Sequence, residues 1–129
     1  MTTALLASPL ELVNMADAVL RAHGSAWGGS WARAVALLTR QALEGALDEL
    51  WNERGVNLSP VSAQAQLICL RAYLDDDTLA AEVRYAWGAL SRACHHHPYE
   101  LGPTADELAR WVVTLRALIQ RIQASPDSR

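Results

Sequence analysis

Residues 75–98, DDDTLAAEVRYAWGALSRACHHHP, contain the start, the apolar face and the end of one helix. The acidic run Asp75-Asp76-Asp77 supplies the carboxylates that helix N-termini favour. Apolar side chains then recur with a period of 3.6 residues at Leu79, Val83, Trp87, Leu90 and Cys94. Because Pro98 disfavours helical backbone at His97, the helix is predicted to fray at the histidine run. This stretch therefore predicts an amphipathic helix.

Two further helices are predicted on the N-terminal side of this stretch. Ser8-Pro9-Leu10-Glu11 combines an N-cap, a proline at the first helical position and a capping-box glutamate, which begin a helix that runs to about His23. Ser30 can cap a long second helix, which runs to about Arg54. Gly55 then supplies its stop signal.

Two more helices and a short tail complete the pattern. Residues 62–74 carry an apolar stripe, and Thr104 with Glu107 repeats the capping-box spacing at the start of the last helix. The polar tail from Ser125 is expected to be loose. We therefore predict a single all-α domain over residues 1–129, an antiparallel up-and-down bundle of four to five helices with a core at about 8–123.

Composition and charge narrow the classes of function. The chain has 129 residues, is 51% hydrophobic and carries a net charge of −3, and all eleven of its basic residues are arginine. Because no broad basic face is expected, extended duplex DNA is a poor partner, and nucleic-acid contact is predicted only in a small pocket. Without a signal peptide or a membrane-length apolar run, we expect a cytoplasmic protein without membrane contact. Cys69 and Cys94 are expected to be buried thiols.

The histidine run follows an arginine at short distance. Histidine exchanges protons near neutral pH, and arginine binds phosphate oxygens through two parallel hydrogen bonds. The simplest alternative is a polar helix end, which suits the negative pole of the helix dipole. Adjacent histidines point about 100° apart on a helix. His95, His96 and His97 are therefore poorly spaced to share one metal ion, and we expect no metal and no cofactor.

Arg92, His97 and Tyr99 spell R-x4-H-x-Y, which resembles the signature of the HEPN superfamily of helical-bundle proteins. Residues 37–47, LLTRQALEGAL, resemble the small-residue pattern of an early HEPN helix and contain Arg40 and Glu44. The resemblance covers about residues 8–123. One position departs from the pattern, since Ala93 stands where these motifs often have a polar residue.

The resemblance implies a metal-independent endoribonuclease, of the kind found among toxins and defence effectors. Arg92 would hold the scissile phosphate, and His97 would act as acid and base, leaving a 2′,3′-cyclic phosphate. Positions five apart on a helix differ by about 140°, so Arg92 and His97 do not share a face, whereas His96 lies nearer to Arg92. Either the helix unwinds before Pro98, or two copies line one cleft, and the family favours a homodimer with such a composite site.

The remaining residues have supporting interpretations. Tyr99 either anchors the loop or, by the resemblance, accepts AMP from a nucleotidyltransferase-type antitoxin. Arg40 and Glu44 form either an ordinary exposed ion pair or a pair that orients Arg92 or His97, and His95 and His96 could add polar groups to the site. Two other functions stay open: a non-catalytic HEPN-like bundle that binds a nucleotide or a protein partner, and a plain dimerisation module.

Overall fold

Five helices make up the secondary structure in the computed structural model, which describes residues 7–25, 30–58, 60–95 and 102–124. The helices are α1 (Pro9–His23), α2 (Trp31–Arg54), α3 (Ala63–Leu74), α4 (Asp77–Cys94) and α5 (Ala105–Ala124). The prediction of an all-α bundle is confirmed within these ranges, and each helix begins and ends close to its predicted limits. The predicted tail from Ser125 lies outside the described residues. In the described part, no helix has the length and apolar character that crossing a membrane requires.

Side-chain caps fix most of the helix starts. Ser8 and Glu11 form the predicted capping box at α1, in which each side chain binds the other residue's backbone N–H. Thr104 and Glu107 form the same reciprocal pair at α5, and the Asp76 carboxylate accepts from the backbone N–H of Leu79 at α4. These caps satisfy donors that a helix start otherwise leaves unpaired.

The predicted cap at α2 is wrong. Ser30 occupies the N-cap position, but its side chain makes no capping hydrogen bond. Its backbone, with φ −96° and ψ 3°, is not in the extended conformation from which a serine side chain reaches the next turn. The end of this helix is as predicted, because Gly55 adopts the left-handed conformation with φ 68°.

Helices α1, α2, α4 and α5 pack against one another as a four-helix bundle, and α3 lies in the connection between α2 and α4. Arg116 on α5 binds Asn14 and Asp17 on α1 through its two terminal nitrogens. Gly24, just after α1, lies beside Ala105 at the start of α5, so these two helices run antiparallel. Arg121 near the end of α5 donates to the Leu74 and Asp75 carbonyls before α4, so α4 and α5 also run antiparallel.

The core contains the side chains that the apolar periodicity selects. The apolar stripes predicted for residues 62–74 and for α4 are buried, and two side chains depart from the predicted burial. Trp87 is half-buried because it lies at the edge of the α4 stripe, beneath the Arg40 guanidinium. Cys69 is half-buried rather than buried, whereas Cys94 is buried, and both are free thiols.

A buried polar contact joins α3 to the end of α2. The indole N–H of Trp51 donates to the Gln66 side-chain oxygen at 2.8 Å, and the Gln66 amide nitrogen donates to the carbonyls of Leu58 and Val61. The Trp51 ring also meets the Tyr73 ring edge-on, with centroids 5.4 Å apart. These contacts hold α3 against the bundle and thereby position the surface that α3 shares with α4.

Two glycines should respond oppositely to alanine. Gly55 has φ 68°, where a Cβ is strained, so Gly55→Ala should lower the free energy of unfolding by about 1 kcal/mol. Gly88 lies inside α4, where a Cβ would make ordinary contacts, so Gly88→Ala should raise that free energy by about 0.5–1 kcal/mol. Urea unfolding of the two variants measures both changes. Stabilisation by Gly55→Ala would contradict the left-handed turn.

Candidate functional site

Arg92 lies on the last turn of α4, and its side chain is exposed. Its Nη1 atom is 3.7 Å from the point where a Cβ on Gly88 would stand, so the guanidinium lies back along the helix over a bare stretch of backbone. Within the described ranges, the Arg92 side chain makes no hydrogen bond or ion pair. A permanently charged group without a partner in this part of the chain is available to bind an anion.

Arg92 lines an open groove of about 730 Å³ between α3 and α4. Arg71 from α3 and Arg84 from α4 line the same groove, together with the Asp77 carboxylate and the Tyr85 side chain. The groove thus contains three arginines and one carboxylate, although the whole chain has a net charge of −3. This local excess of positive charge is suited to an anionic ligand.

One of the three arginines is already paired. Arg71 donates to the Asp77 carboxylate at 3.1 Å, across the turn between α3 and α4. The hydrogen bond and charge of Arg71 lower the pKa of Asp77, and Asp77 correspondingly raises the pKa of Arg71. Arg84, like Arg92, has no hydrogen bond or ion pair with the described residues. Arg84 and Arg92 are therefore the cations of this groove that are free to meet a ligand.

A second cluster lies where α2 meets α4. The Nε atom of Arg40 donates to the Glu44 carboxylate at 3.1 Å, and the Arg40 guanidinium lies 5.9 Å from the centre of the Trp87 ring. Burial lowers the pKa of Arg40, but its interactions with Glu44 and, more weakly, with Cys94 leave that pKa above its ordinary value. The pair is half-buried rather than exposed, and the Glu44 carboxylate and the Trp87 ring hold Arg40 between α2 and α4.

Two buried polar atoms lie on this side of α4. The indole N–H of Trp87 and the hydroxyl of Ser91 have no hydrogen-bond partner within the described part of the chain. Trp87, Ser91 and Cys94 recur at the spacing that places them on one face of a helix. Polar groups therefore line the side of α4 that faces Arg40, next to the turn that bears Arg92.

The candidate residues fall into separate groups. Arg92 lies in the groove, and His95 is an exposed residue at the C-terminal cap of α4. Arg40 and Glu44 pair with each other and make no hydrogen bond or ion pair with Arg92. His96, His97 and Tyr99 lie outside the described residues. Among the described side chains, no group of three or more histidines, cysteines or carboxylates is placed to hold a metal ion.

The groove adds residues that the sequence pattern did not single out. Arg84 lies two helical turns before Arg92, and the intervening position is Gly88, so the spacing i, i+4, i+8 could have indicated a common face. Arg71 gave no such signal because it lies on a different helix. No protein-family model matches this chain, and no curated protein or solved structure is significantly similar to it.

Proposed function

We propose that this protein is a metal-independent endoribonuclease of the HEPN type, with a composite site between two copies of the chain. The observation that carries the proposal is Arg92, exposed and unpaired among the described residues, in a groove with an excess of positive charge. A phosphodiester is the anion that the R-x4-H-x-Y resemblance implies for such an arginine.

In the proposed reaction, Arg92 binds the scissile phosphate and stabilises the charge that grows on its oxygens. One His97 removes the proton from the RNA 2′-hydroxyl, and the 2′ oxygen attacks the phosphorus. The His97 of the second copy protonates the departing 5′ oxygen. The phosphorus–5′ oxygen bond breaks, and the products are a 2′,3′-cyclic phosphate and a 5′-hydroxyl.

The environment of Ala93 bears on the departure from the family pattern. Ala93 is buried in the core-facing side of α4, whereas the side chain of Arg92 is exposed. A larger polar side chain at position 93 would point towards the packed interior and not into the groove. The alanine at position 93 therefore suits the packed core, and it does not change the side chains that line the groove. This supports a functional role for Arg92 in this chain.

Regulation by a partner follows from the same proposal. Tyr99 would accept AMP from a nucleotidyltransferase-type antitoxin, and the modified site would be blocked. The toxin or defence role depends on such a partner or on an equivalent control. The competing function is a non-catalytic HEPN-like bundle that binds a nucleotide or a protein. An assay of RNA cleavage distinguishes these two functions.

The test is cleavage of total RNA by the purified wild-type chain with and without EDTA. We expect cleavage to persist in EDTA and the fragments to carry a 5′-hydroxyl, which polynucleotide kinase labels without prior phosphatase treatment. His23→Ala changes an exposed histidine at the end of α1 and should leave cleavage unchanged.

Three results would overturn parts of this proposal. Absence of cleavage under all conditions would favour the non-catalytic bundle. Loss of cleavage in EDTA would indicate metal chemistry instead. A chain that cleaves RNA as a strict monomer in gel filtration would exclude the composite site.

A further inference from the structure

The α3–α4 groove extends well beyond Arg92. Arg84 lies eight residues before it on α4, which corresponds to about 12 Å along the helix axis. Both arginines line the groove, and neither is paired with a described residue. Two cations at this backbone spacing suit a ligand that carries negative charge at more than one point, as a chain of phosphodiesters does.

An exposed aromatic ring lies beside these cations. Tyr85 is 67% exposed and is seven residues from Arg92, a spacing that returns to the same face of a helix. Ile68, on α3, lines the groove from the other side and is 58% exposed. Exposed rings beside arginines are typical of surfaces that bind single strands, since every base offers a flat apolar face for stacking.

Gly88 leaves space between the ring and Arg92. With no side chain at this position, the part of α4 between Arg84 and Arg92 has bare backbone towards the groove. The Arg92 guanidinium lies back over this position, so a backbone phosphate that binds it can approach the helix without meeting a Cβ. The groove is thus lined by cations and an aromatic ring, with no Cβ at position 88 between them.

We propose that the α3–α4 groove binds single-stranded RNA on one side of the scissile bond, with Arg84 on a flanking phosphate and Tyr85 stacked on a base. The inference rests on the proposed function for the identity of the ligand. Duplex RNA is disfavoured because its stacked bases cannot reach Tyr85 and because the chain as a whole is acidic, with a net charge of −3.

The experiment measures binding of a fluorescent single-stranded oligoribonucleotide to the full chain bearing His97→Ala, which is expected to prevent cleavage. Adding Arg84→Glu should weaken binding at least tenfold and reduce the slope of log K against log salt concentration by about 0.7 for each phosphate that the protein no longer neutralises. Tyr85→Ala should weaken binding about 5- to 100-fold. Tyr85→Phe, which keeps the ring, should bind more tightly than Tyr85→Ala.

Three further variants test the charge and the space that the groove provides. Gly88→Glu places a carboxylate beside Arg92 and should weaken binding of the oligoribonucleotide. Gly88→Ala tests whether a Cβ without the charge also lowers the affinity. Arg33→Glu makes the same charge change at an exposed site on α2 outside the groove and should leave binding unchanged. If Arg33→Glu and Arg84→Glu weaken binding equally, the net charge of the chain and not the groove determines the affinity, and the inference is overturned.

The outcomes separate this inference from the proposed function. If wild type cleaves RNA, and Arg84→Glu and Tyr85→Ala change neither cleavage in the chain with His97 intact nor binding in the His97→Ala chain, the groove proposal fails and the ribonuclease stands. If wild type does not cleave RNA but Arg84→Glu abolishes binding, the groove stands without the catalysis. Equal affinity for duplex and single strand, or a change from dimer to monomer caused by Arg84→Glu, would overturn the single-strand site.

Discussion

Arg92→Ala and His97→Ala should each reduce RNA cleavage by at least about 100-fold, the usual effect of removing a transition-state donor or an acid–base group. For Arg92 the structure adds a second expectation. Its side chain is exposed and has no hydrogen bond or ion pair within the described ranges, so its removal should change the free energy of unfolding by less than about 0.5 kcal/mol. Initial cleavage rates and urea unfolding curves measure the two quantities on the same preparations.

Arg92→Lys tests what the guanidinium contributes. Lysine keeps the charge but cannot form two parallel hydrogen bonds to a phosphate, so we expect cleavage between that of wild type and Arg92→Ala. His23→Ala is the matched control for His97→Ala. Full activity in Arg92→Ala would remove the observation on which the ribonuclease proposal depends, and loss of activity together with unfolding would make Arg92 a structural residue.

Gln66→Leu should lower the free energy of unfolding by about 3 kcal/mol, because the Trp51 indole N–H and the Val61 carbonyl lose the Gln66 amide as partner and the Leu58 carbonyl keeps only the Val61 N–H. The leucine is similar in size, so the loss is one of hydrogen bonding. Since Gln66 attaches α3 to α2, the same substitution should also loosen the wall of the groove that bears Arg71.

Gln64→Leu is the control for this prediction. It makes the same chemical change two residues earlier on α3, where the side chain is exposed. We expect a change of less than about 0.5 kcal/mol there, measured by urea unfolding alongside Gln66→Leu. Equal effects of the two substitutions would mean that the buried amide is not what holds α3.

Local signals account for how well the helices could be predicted. Caps and glycine stops act within one turn, so Ser8, Asp76 and Gly55 could be assigned from neighbouring residues alone. The same reasoning fails at Ser30, because capping also requires a backbone conformation that the residue type does not guarantee.

The candidate site was only partly predictable for a related reason. Periodicity indicates which face of a helix is apolar, and thus that Arg92 lies off the buried stripe of α4. It does not indicate which helix lies beside that face. The contact of Arg40 with Trp87 and the shared groove of Arg71 and Arg92 join residues that are far apart in sequence.

The sequence by itself determined an all-α bundle, most of the helix starts and stops, and the apolar stripes that form the core, because these depend on interactions within a few residues. It also carries the R-x4-H-x-Y pattern. Only the tertiary structure decided that α3 is held by Gln66, that Arg40 lies against Trp87, and that Arg84 and Arg92 share a cationic groove with Tyr85. The physical reason is that an amphipathic helix can pack its apolar face against several different helices. Which of them it contacts depends on how all of the helices pack together.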